Sequence, residues 1–262
     1  MKYSYCTTVY NSSGVIGEFL NFMSKHLDSS SELVIVDNYS IDGTYETLRT
    51  FANDKANVSI IQKKCTRGTG RQTAIENSNG QIIIMLDADG IYRRIVEYLN
   101  ELEFNNGKIL LYSGTFNGSR HYCVLGTRKT FKIVGSYPDL NYLEDTYYYS
   151  IAEALGVLVK RTMNEGDVLP LKVMGQDSGT ESRYAGSSIE AVRRRAIATR
   201  DILFVEKFNL KQLCDYYKLK GTAKFTTCLP LFILGKFLRF TIKDEPLDLR
   251  LKRCEMLKKD HF

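Results

Sequence analysis

Several residue types and patterns are scarce in this sequence of 262 residues, and each shortage excludes a class of protein. It contains no Trp and only four Pro. Its six Cys form no C-x-x-C pair, and this excludes zinc ribbons and thioredoxin-type motifs. The uncharged stretch at 225–235 has 11 residues, far short of the roughly 20 that a membrane-spanning helix needs. The first residues lack the basic and apolar segments of a secretory leader, so we expect a cytoplasmic protein with reduced thiols.

The residues that are present are typical of a globular protein with a basic C-terminal third. Hydrophobic residues make up 44% of the chain and charged residues 25%, which is enough to build a large core. The net charge is +6, and residues 183–262 carry 18 basic against 9 acidic side chains. Such an excess is attracted to anionic lipid headgroups or nucleic acid, although a solvated basic face is the simpler interpretation.

Short apolar runs alternate with stretches of helical periodicity through the first half of the chain. The runs predict strands at 3–10, 33–36, 58–62, 81–86 and 109–112, and the stretches predict helices at 15–27, 45–52, 72–77 and 93–104. This alternation is typical of an α/β protein with a mostly parallel sheet flanked by helices. Ligands of such sheets bind beyond the carboxyl ends of the strands.

The second half predicts fewer strands. We expect a helix at 143–155, a strand at 168–173, a polar lid-like loop at 176–188, and then only helices, at 189–202 and 210–219. We therefore divide the chain into an α/β domain, 1–205, and a basic helical C-terminal extension, 206–262. Residues 225–242 in this extension either lie in a membrane interface or pack on the domain.

Three groups of polar residues follow the predicted strands. Asp87-Ala88-Asp89 ends the strand at 81–86, where two carboxylates could bind a hard cation that bridges a diphosphate. Asp37 ends the strand at 33–36, where it could hydrogen-bond a base or ribose. Residues 67–74, with Arg67, Gly68 and Arg71, begin a helix whose N-terminus suits phosphate. The spacing of the glycines in this segment fits neither a Walker loop nor a dinucleotide-binding fingerprint.

The order and spacing of these groups resemble family 2 glycosyltransferases of the GT-A fold. The matching motifs are the Thr8-Val9-Tyr10-Asn11 turn, the 36–44 segment, the Arg67-Gly68 helix start and Asp-Ala-Asp, within about residues 4–92. The sequence is most similar to the branch that includes dolichyl-phosphate mannose and glucose synthases. The resemblance implies that Thr8, Tyr10, Asn11, Asp37, Arg67, Gly68, Arg71, Asp87 and Ala88 contact the nucleotide-sugar donor, and that Asp89 and Asp87 bind Mn²⁺ or Mg²⁺.

The same family places an acidic pair on the acceptor side, and Glu144-Asp145 fits that place. The resemblance implies that Asp145 removes the proton from an acceptor hydroxyl and that Glu144 supports it. Two acids at the start of a helix could equally be a structural cap. The sequence also departs from the lipid-phosphate branch, which has Gln two positions after the second Asp, because Gly90 and Ile91 follow here. The resemblance therefore supplies no third protein ligand of the metal.

These observations predict a metal-dependent inverting glycosyltransferase. Its donor is a nucleotide-diphosphate sugar, and its acceptor a polyprenyl phosphate or a membrane-associated glycan. The basic extension and residues 225–242 favour a peripheral position at an anionic membrane on its cytoplasmic face. A sugar-phosphate nucleotidyltransferase is the first alternative, although the basic Gly-rich loop of such enzymes is missing after the first strand. A basic nucleic-acid-binding protein is the second, but it leaves Asp87 and Asp89 unexplained, so we expect no nucleic-acid partner.

Overall fold

The computed structural model describes residues 1–116, 119–171, 189–217 and 229–261. The expected lid at 176–188, the end of the expected strand at 168–173, and Phe225 lie outside the described residues. The sequence of elements up to the middle of the chain follows the predicted alternation. In chain order these are β1 (Tyr3–Val9), α1 (Ser13–Ser24), β2 (Ser31–Asp37), α2 (Thr44–Ala52), β3 (Val58–Gln62), α3 (Arg67–Glu76), β4 (Ile82–Leu86), β5 (Gly90–Tyr92) and α4 (Ile95–Phe104).

Beyond residue 104 the predicted strands at 109–112 and 168–173 begin where expected, and further strands appear that the sequence pattern did not predict. Its elements are β6 (Ile109–Phe116), β7 (Ser119–Thr127), α5 (Arg128–Val134), α6 (Glu144–Ala154), β8 (Leu158–Thr162), β9 (Val168–Pro170), α7 (Ile189–Val205), α8 (Leu210–Tyr216), α9 (Leu229–Leu238), a 3-10 turn (Arg239–Thr241) and α10 (Leu247–His261). The pattern failed for β8 because this edge strand exposes Lys160 and Arg161 and buries none of its side chains completely. As predicted, the described residues after 188 form helices.

Seven strands form one sheet in the order β3-β2-β1-β4-β7-β6-β8. β7 runs antiparallel to both of its neighbours, and the other pairings are parallel. A separate two-stranded ribbon joins β5 to β9. The predicted mostly parallel α/β sheet is therefore confirmed, and the carboxyl ends of β1, β2 and β4 meet at one edge.

Both faces of the sheet are covered, which is why its central strands are so apolar. All seven residues of β2 are buried. Alternate residues of a strand point to opposite faces, so Leu33 and Ile35 join one core while Val34 and Val36 join the other. The first core includes side chains of α1, α2 and α4, and the second those of α3, α5 and α6.

The C-terminal helix α10 packs on the second core. Leu247 and Cys254 are buried in it, and Arg250 Nη2 donates to the Val134 carbonyl at 2.7 Å. The tyrosine hydroxyl of Tyr147, on α6, donates to the Glu245 carbonyl at 2.6 Å. The boundary at 205/206 remains a prediction. Among the described residues, no helix combines the length and the apolar composition that crossing a bilayer requires.

Candidate active site

The two carboxylates after β4 are held at the sheet edge by the β5–β9 ribbon. The backbone N–H of Asp87 donates to the hydroxyl of Tyr92 at 3.2 Å, and Tyr92 is completely buried. The carbonyl of Asp89 accepts from the N–H of Leu171 at 2.8 Å. Ala88 is buried between them. The turn is therefore fixed from both sides, with the Asp87 side chain 25% exposed and that of Asp89 35% exposed.

Arg71 joins Asp87 to the acidic pair at the start of α6. Its Nη2 lies 3.0 Å from Asp87 Oδ1, and its Nη1 lies 3.3 Å from Asp145 Oδ1 and donates to Glu144 Oε1. The guanidinium side chain is only 6% exposed, so these ion pairs are little screened by water. Arg67 adds a weaker contact, with Nη1 3.7 Å from Glu144 Oε1 and a side chain 43% exposed. Residues more than 70 positions apart thus form one charged network.

Burial and neighbouring charges shift the pKa values of these acids in different directions. Burial, and after it the charge of Asp145, raise the pKa of Glu144 to about 8 against the effect of the two arginines. Burial also opposes ionisation of Asp145, but Arg71, a hydrogen bond with Glu144 and Arg67 together outweigh burial and lower the pKa of that carboxyl. Burial raises the pKa of Asp87 in spite of Arg71. At neutral pH this predicts a neutral Glu144 beside an ionised Asp145.

The predicted nucleoside-binding residues lie at the ends of β1 and β2. Asn11 has a positive φ of 48° and accepts from the N–H of Ile41 at 3.0 Å, so it ties the two strand ends together. Asp37 is completely buried and accepts from the hydroxyl and the N–H of Ser40 and from Gln62 Nε2. Tyr10 is 54% exposed at this edge. A base or ribose contact of Asp37 remains a prediction, because the hydrogen bonds that the structure shows hold its own loop.

The start of α3 is packed closely against neighbouring backbone. Gly68 donates its N–H to the Leu140 carbonyl at 2.9 Å, and a Cβ added to it would come within 1.9 Å of the Pro138 carbonyl oxygen. Thr8 Oγ1 would lie 2.5 Å from a Cβ added to Gly70. Gly68 and Gly70 thus allow other parts of the protein to lie close to α3. Donor contacts of Thr8, Arg67, Gly68 and Arg71 remain predictions.

The residues around Asp89 fit a divalent cation that is shared with a substrate. Asp89 Oδ1 is buried and makes no hydrogen bond, whereas Asp87 Oδ1 is already engaged by Arg71. Within the described ranges, no group of three or more His, Cys, Asp or Glu side chains could hold a metal. Asp89 is thus the better placed of the two predicted ligands. A cation here would need oxygen atoms from a bound diphosphate or water.

Sequence reasoning missed His121, which lies on β7 opposite this turn. Its side chain is 1% exposed and its Nδ1 lies 3.4 Å from Asp89 Oδ1. Neither ring nitrogen makes a hydrogen bond. No sequence signal indicated this residue, because a single His in an unpredicted strand has no spacing to a partner.

Comparisons with known proteins show which proteins the chain is similar to in sequence. Residues 4–121 match the family model described as Glycosyl transferase family 2. Over 85 residues the chain is 36% identical to glycosyltransferase AglE of Haloferax volcanii, covering 31% of this chain and 28% of that protein. Over 192 residues it is 23% identical to glycosyltransferase GlyA of Streptococcus pneumoniae, covering 67% of this chain and 27% of that protein. The chain thus aligns with under a third of the length of either relative.

Solved structures show the same fold over nearly the whole chain. TarS residues 1–349 from S. aureus, in complex with UDP-GlcNAc, superpose with a TM-score of 0.54 at 17% identity, covering 99% of this chain and 92% of that one. The mannosyltransferase PcManGT of Pyrobaculum calidifontis, in complex with GDP-Man and Mn²⁺, gives a TM-score of 0.54 at 14% identity, covering 98% and 80%. The predicted GT-A fold is therefore confirmed.

Proposed function

Because residues 4–121 match the family model of family 2 glycosyltransferases, we propose that the chain transfers a sugar from a nucleotide-diphosphate sugar to an acceptor hydroxyl with inversion. The observation that carries this proposal is the charged network in which Arg71 joins Asp87, at the donor side, to Asp145. A single displacement needs a stabilised leaving group and a base for the attacking hydroxyl, and Arg71 holds a donor-side carboxylate and the candidate base close together. The complexes of the structural neighbours with UDP-GlcNAc and GDP-Man support a nucleotide-sugar donor.

On the donor side, this chain's residues would hold the nucleoside and position the diphosphate. Tyr10 offers an exposed ring at the edge where Asp37 and Asn11 shape the loop, and a base could stack on it. Asp89, with its buried unpaired oxygen, would bind a divalent cation, and Asp87 would face the ribose and the cation. When bound, the cation would neutralise charge on the leaving diphosphate. The Mn²⁺ in the PcManGT complex supports this requirement, and either Mn²⁺ or Mg²⁺ would serve.

On the acceptor side, Asp145 would accept the proton of the attacking hydroxyl. Arg71 lowers the pKa of Asp145 and so keeps it ionised and able to accept a proton at neutral pH. Glu144 is neutral at that pH, so it would add no second negative charge beside the base. A lipid-phosphate acceptor would already be ionised and would need no base, so the effect of Asp145→Asn separates the two acceptor classes.

Donor binding tests the proposal first. We expect one of UDP-glucose, UDP-N-acetylglucosamine and GDP-mannose to raise the melting temperature with Mn²⁺ present, and Asp89→Ala to abolish the rise. Glu18→Ala changes an exposed acid on α1 and is the matched control. A chain that shifts with none of these donors contradicts the proposal. Release of pyrophosphate from a nucleoside triphosphate would favour a nucleotidyltransferase instead.

We also propose that α9 and the following turn rest on an anionic membrane surface. Ile233, Phe237 and Phe240 are about half to three-quarters exposed there. Lys236 and Arg239 lie between them, as in a basic amphipathic interface segment. A cavity of about 210 Å³ beside α9 is lined in part by Lys207 and these two cations, which suits an anionic headgroup.

Flotation with vesicles of phosphatidylglycerol and phosphatidylcholine tests this membrane surface. We expect the chain to float with anionic vesicles at moderate salt, and Phe237→Ser with Phe240→Ser to release it. Phe104→Ser, which removes an equally exposed ring on α4, should still float. A wild-type chain that remains entirely in the soluble fraction excludes the membrane proposal and leaves the transferase proposal intact.

A further inference from the structure

His121 is a buried imidazole whose ring nitrogens make no hydrogen bond. Its side chain is 1% exposed, and neither Nδ1 nor Nε2 makes a hydrogen bond. Asp89 Oδ1, 3.4 Å from Nδ1, is also buried and also makes none. Buried polar groups are normally satisfied, so two unsatisfied atoms that face each other point to a third atom between them.

The fold builds a place for this imidazole. β7 pairs with β4 so that Cys123 lies opposite Leu86, and this register brings His121 beside the turn that carries Asp89. Gly90 leaves the necessary space, because a Cβ at this position would lie 3.1 Å from His121 Nδ1. Gly90 and Ile91 follow Asp89 where the family pattern has Gln at the second position. In this chain His121, on a neighbouring strand, offers a second ligand instead.

The 3.4 Å between the two atoms lies within a few tenths of an ångström of the separation of two ligands on one cation. Protein nitrogen and oxygen ligands lie about 2.0–2.2 Å from divalent first-row metals and Mg²⁺. Two such ligands are then about 3.0 Å apart at a right angle and about 3.4 Å apart at a tetrahedral angle, by geometry from those distances. We propose that His121 Nδ1 and Asp89 together are the protein ligands of the divalent cation, an inference that rests on the proposed transferase function.

This ligand pair has a consequence for the choice of metal. Imidazole nitrogen suits first-row transition metals better than Mg²⁺, which prefers oxygen ligands alone, and Mn²⁺ is the weakest binder in that series. With His121 as a ligand, the site should bind Mn²⁺ in preference to Mg²⁺. Removing the imidazole should weaken Mn²⁺ binding by roughly an order of magnitude or more and leave Mg²⁺ binding nearly unchanged.

Pulsed electron paramagnetic resonance of Mn²⁺ tests the ligand directly, without enzyme turnover. The probe is Mn²⁺ with UDP, or with GDP if UDP does not bind, added to the full chain. We expect a ¹⁴N coupling from directly bound imidazole that is replaced by a ¹⁵N coupling when the protein is made with ¹⁵N-histidine. His26→Gln, which removes an imidazole beside the end of α1, should retain the coupling, and His121→Gln should lose it.

The outcomes separate this inference from the proposed function. Bound Mn²⁺ and nucleotide without histidine nitrogen coupling overturns the His121 proposal, leaves the transferase proposal standing, and indicates an ion pair between His121 and Asp89. The absence of Mn²⁺ and nucleotide binding in the wild type overturns both. Because the isotope readout uses the wild-type sequence, it does not depend on whether His121→Gln folds.

Discussion

Arg71 is a residue whose loss should strongly destabilise the protein. It is the nearly buried cation that contacts Asp87, Glu144 and Asp145, so Arg71→Ala leaves the ionised Asp145 and Asp87 without this charge partner. We expect the free energy of unfolding to fall by about 3–5 kcal/mol. Arg67→Ala removes one longer contact of a half-exposed side chain and should cost less than about 1 kcal/mol. Urea denaturation at pH 7 measures both, and equal losses would contradict the central role of Arg71.

Also at the residue scale, Asp145 and Glu144 should differ in their effect on turnover. Asp145→Asn removes the proposed base, and we expect kcat to fall roughly 10²–10⁴-fold with a hydroxyl acceptor. Glu144→Gln resembles the neutral state that the raised pKa favours at pH 7, and we expect it to retain most of the wild-type rate. A larger loss in Glu144→Gln than in Asp145→Asn would reverse the assignment.

The raised pKa of Glu144 also predicts how stability depends on pH. The carboxyl titrates near 4.5 when unfolded and at about 8 when folded, so the folded state binds the proton more tightly. Between these values the unfolded state holds fewer protons, and the free energy of unfolding should therefore fall as pH rises. Urea denaturation from pH 5 to pH 9 should show this fall in the wild type and a smaller one in Glu144→Gln. Identical slopes would exclude a raised pKa.

At the scale of elements, the docking of α3 depends on Gly68. A methyl group there would overlap the Pro138 carbonyl, so Gly68→Ala should push α3 away from the 138–140 segment and cost about 1–3 kcal/mol. Gly17, exposed on α1, has no atom within 4 Å of an added Cβ, and Gly17→Ala should stabilise that helix by about 1 kcal/mol. Thermal melts of the two variants should therefore shift in opposite directions. An unchanged melting temperature in Gly68→Ala would show that the 138–140 segment moves aside without cost.

At the scale of the whole molecule, we expect the α/β domain and α10 to unfold together. Leu247 and Cys254 share the core that holds Tyr147 and Ile151, so they cannot leave it independently. Differential scanning calorimetry should show one transition, lowered by Arg250→Ala. Arg253→Ala on the same helix removes an exposed ion pair and should have little effect. A separate low-temperature transition would instead show that residues 206–262 fold as an independent unit.

The sequence determined those features that depend on neighbouring positions along the chain. Apolar runs that alternate with helical periodicity predicted the parallel strands of the first half and four of their helices. Asp37 and the Asp87-Ala88-Asp89 motif, each at the end of an apolar run, predicted which strand ends carry polar groups. Because parallel strands end at one edge of a sheet, these groups had to lie on the same side of the molecule. The GT-A resemblance followed from the same local order.

The tertiary structure alone decided which distant residues meet. Nothing local to Arg71 indicates that it contacts Glu144 and Asp145, because that contact depends on how α3 and α6 pack on the sheet. The pairing of His121 with Asp89 depends on the antiparallel register of β7, a strand that the pattern did not predict. Burial also sets the pKa of Glu144, and burial exists only in the folded chain. Periodicity reports the face of one element, whereas the chemistry of this site arises where several elements converge.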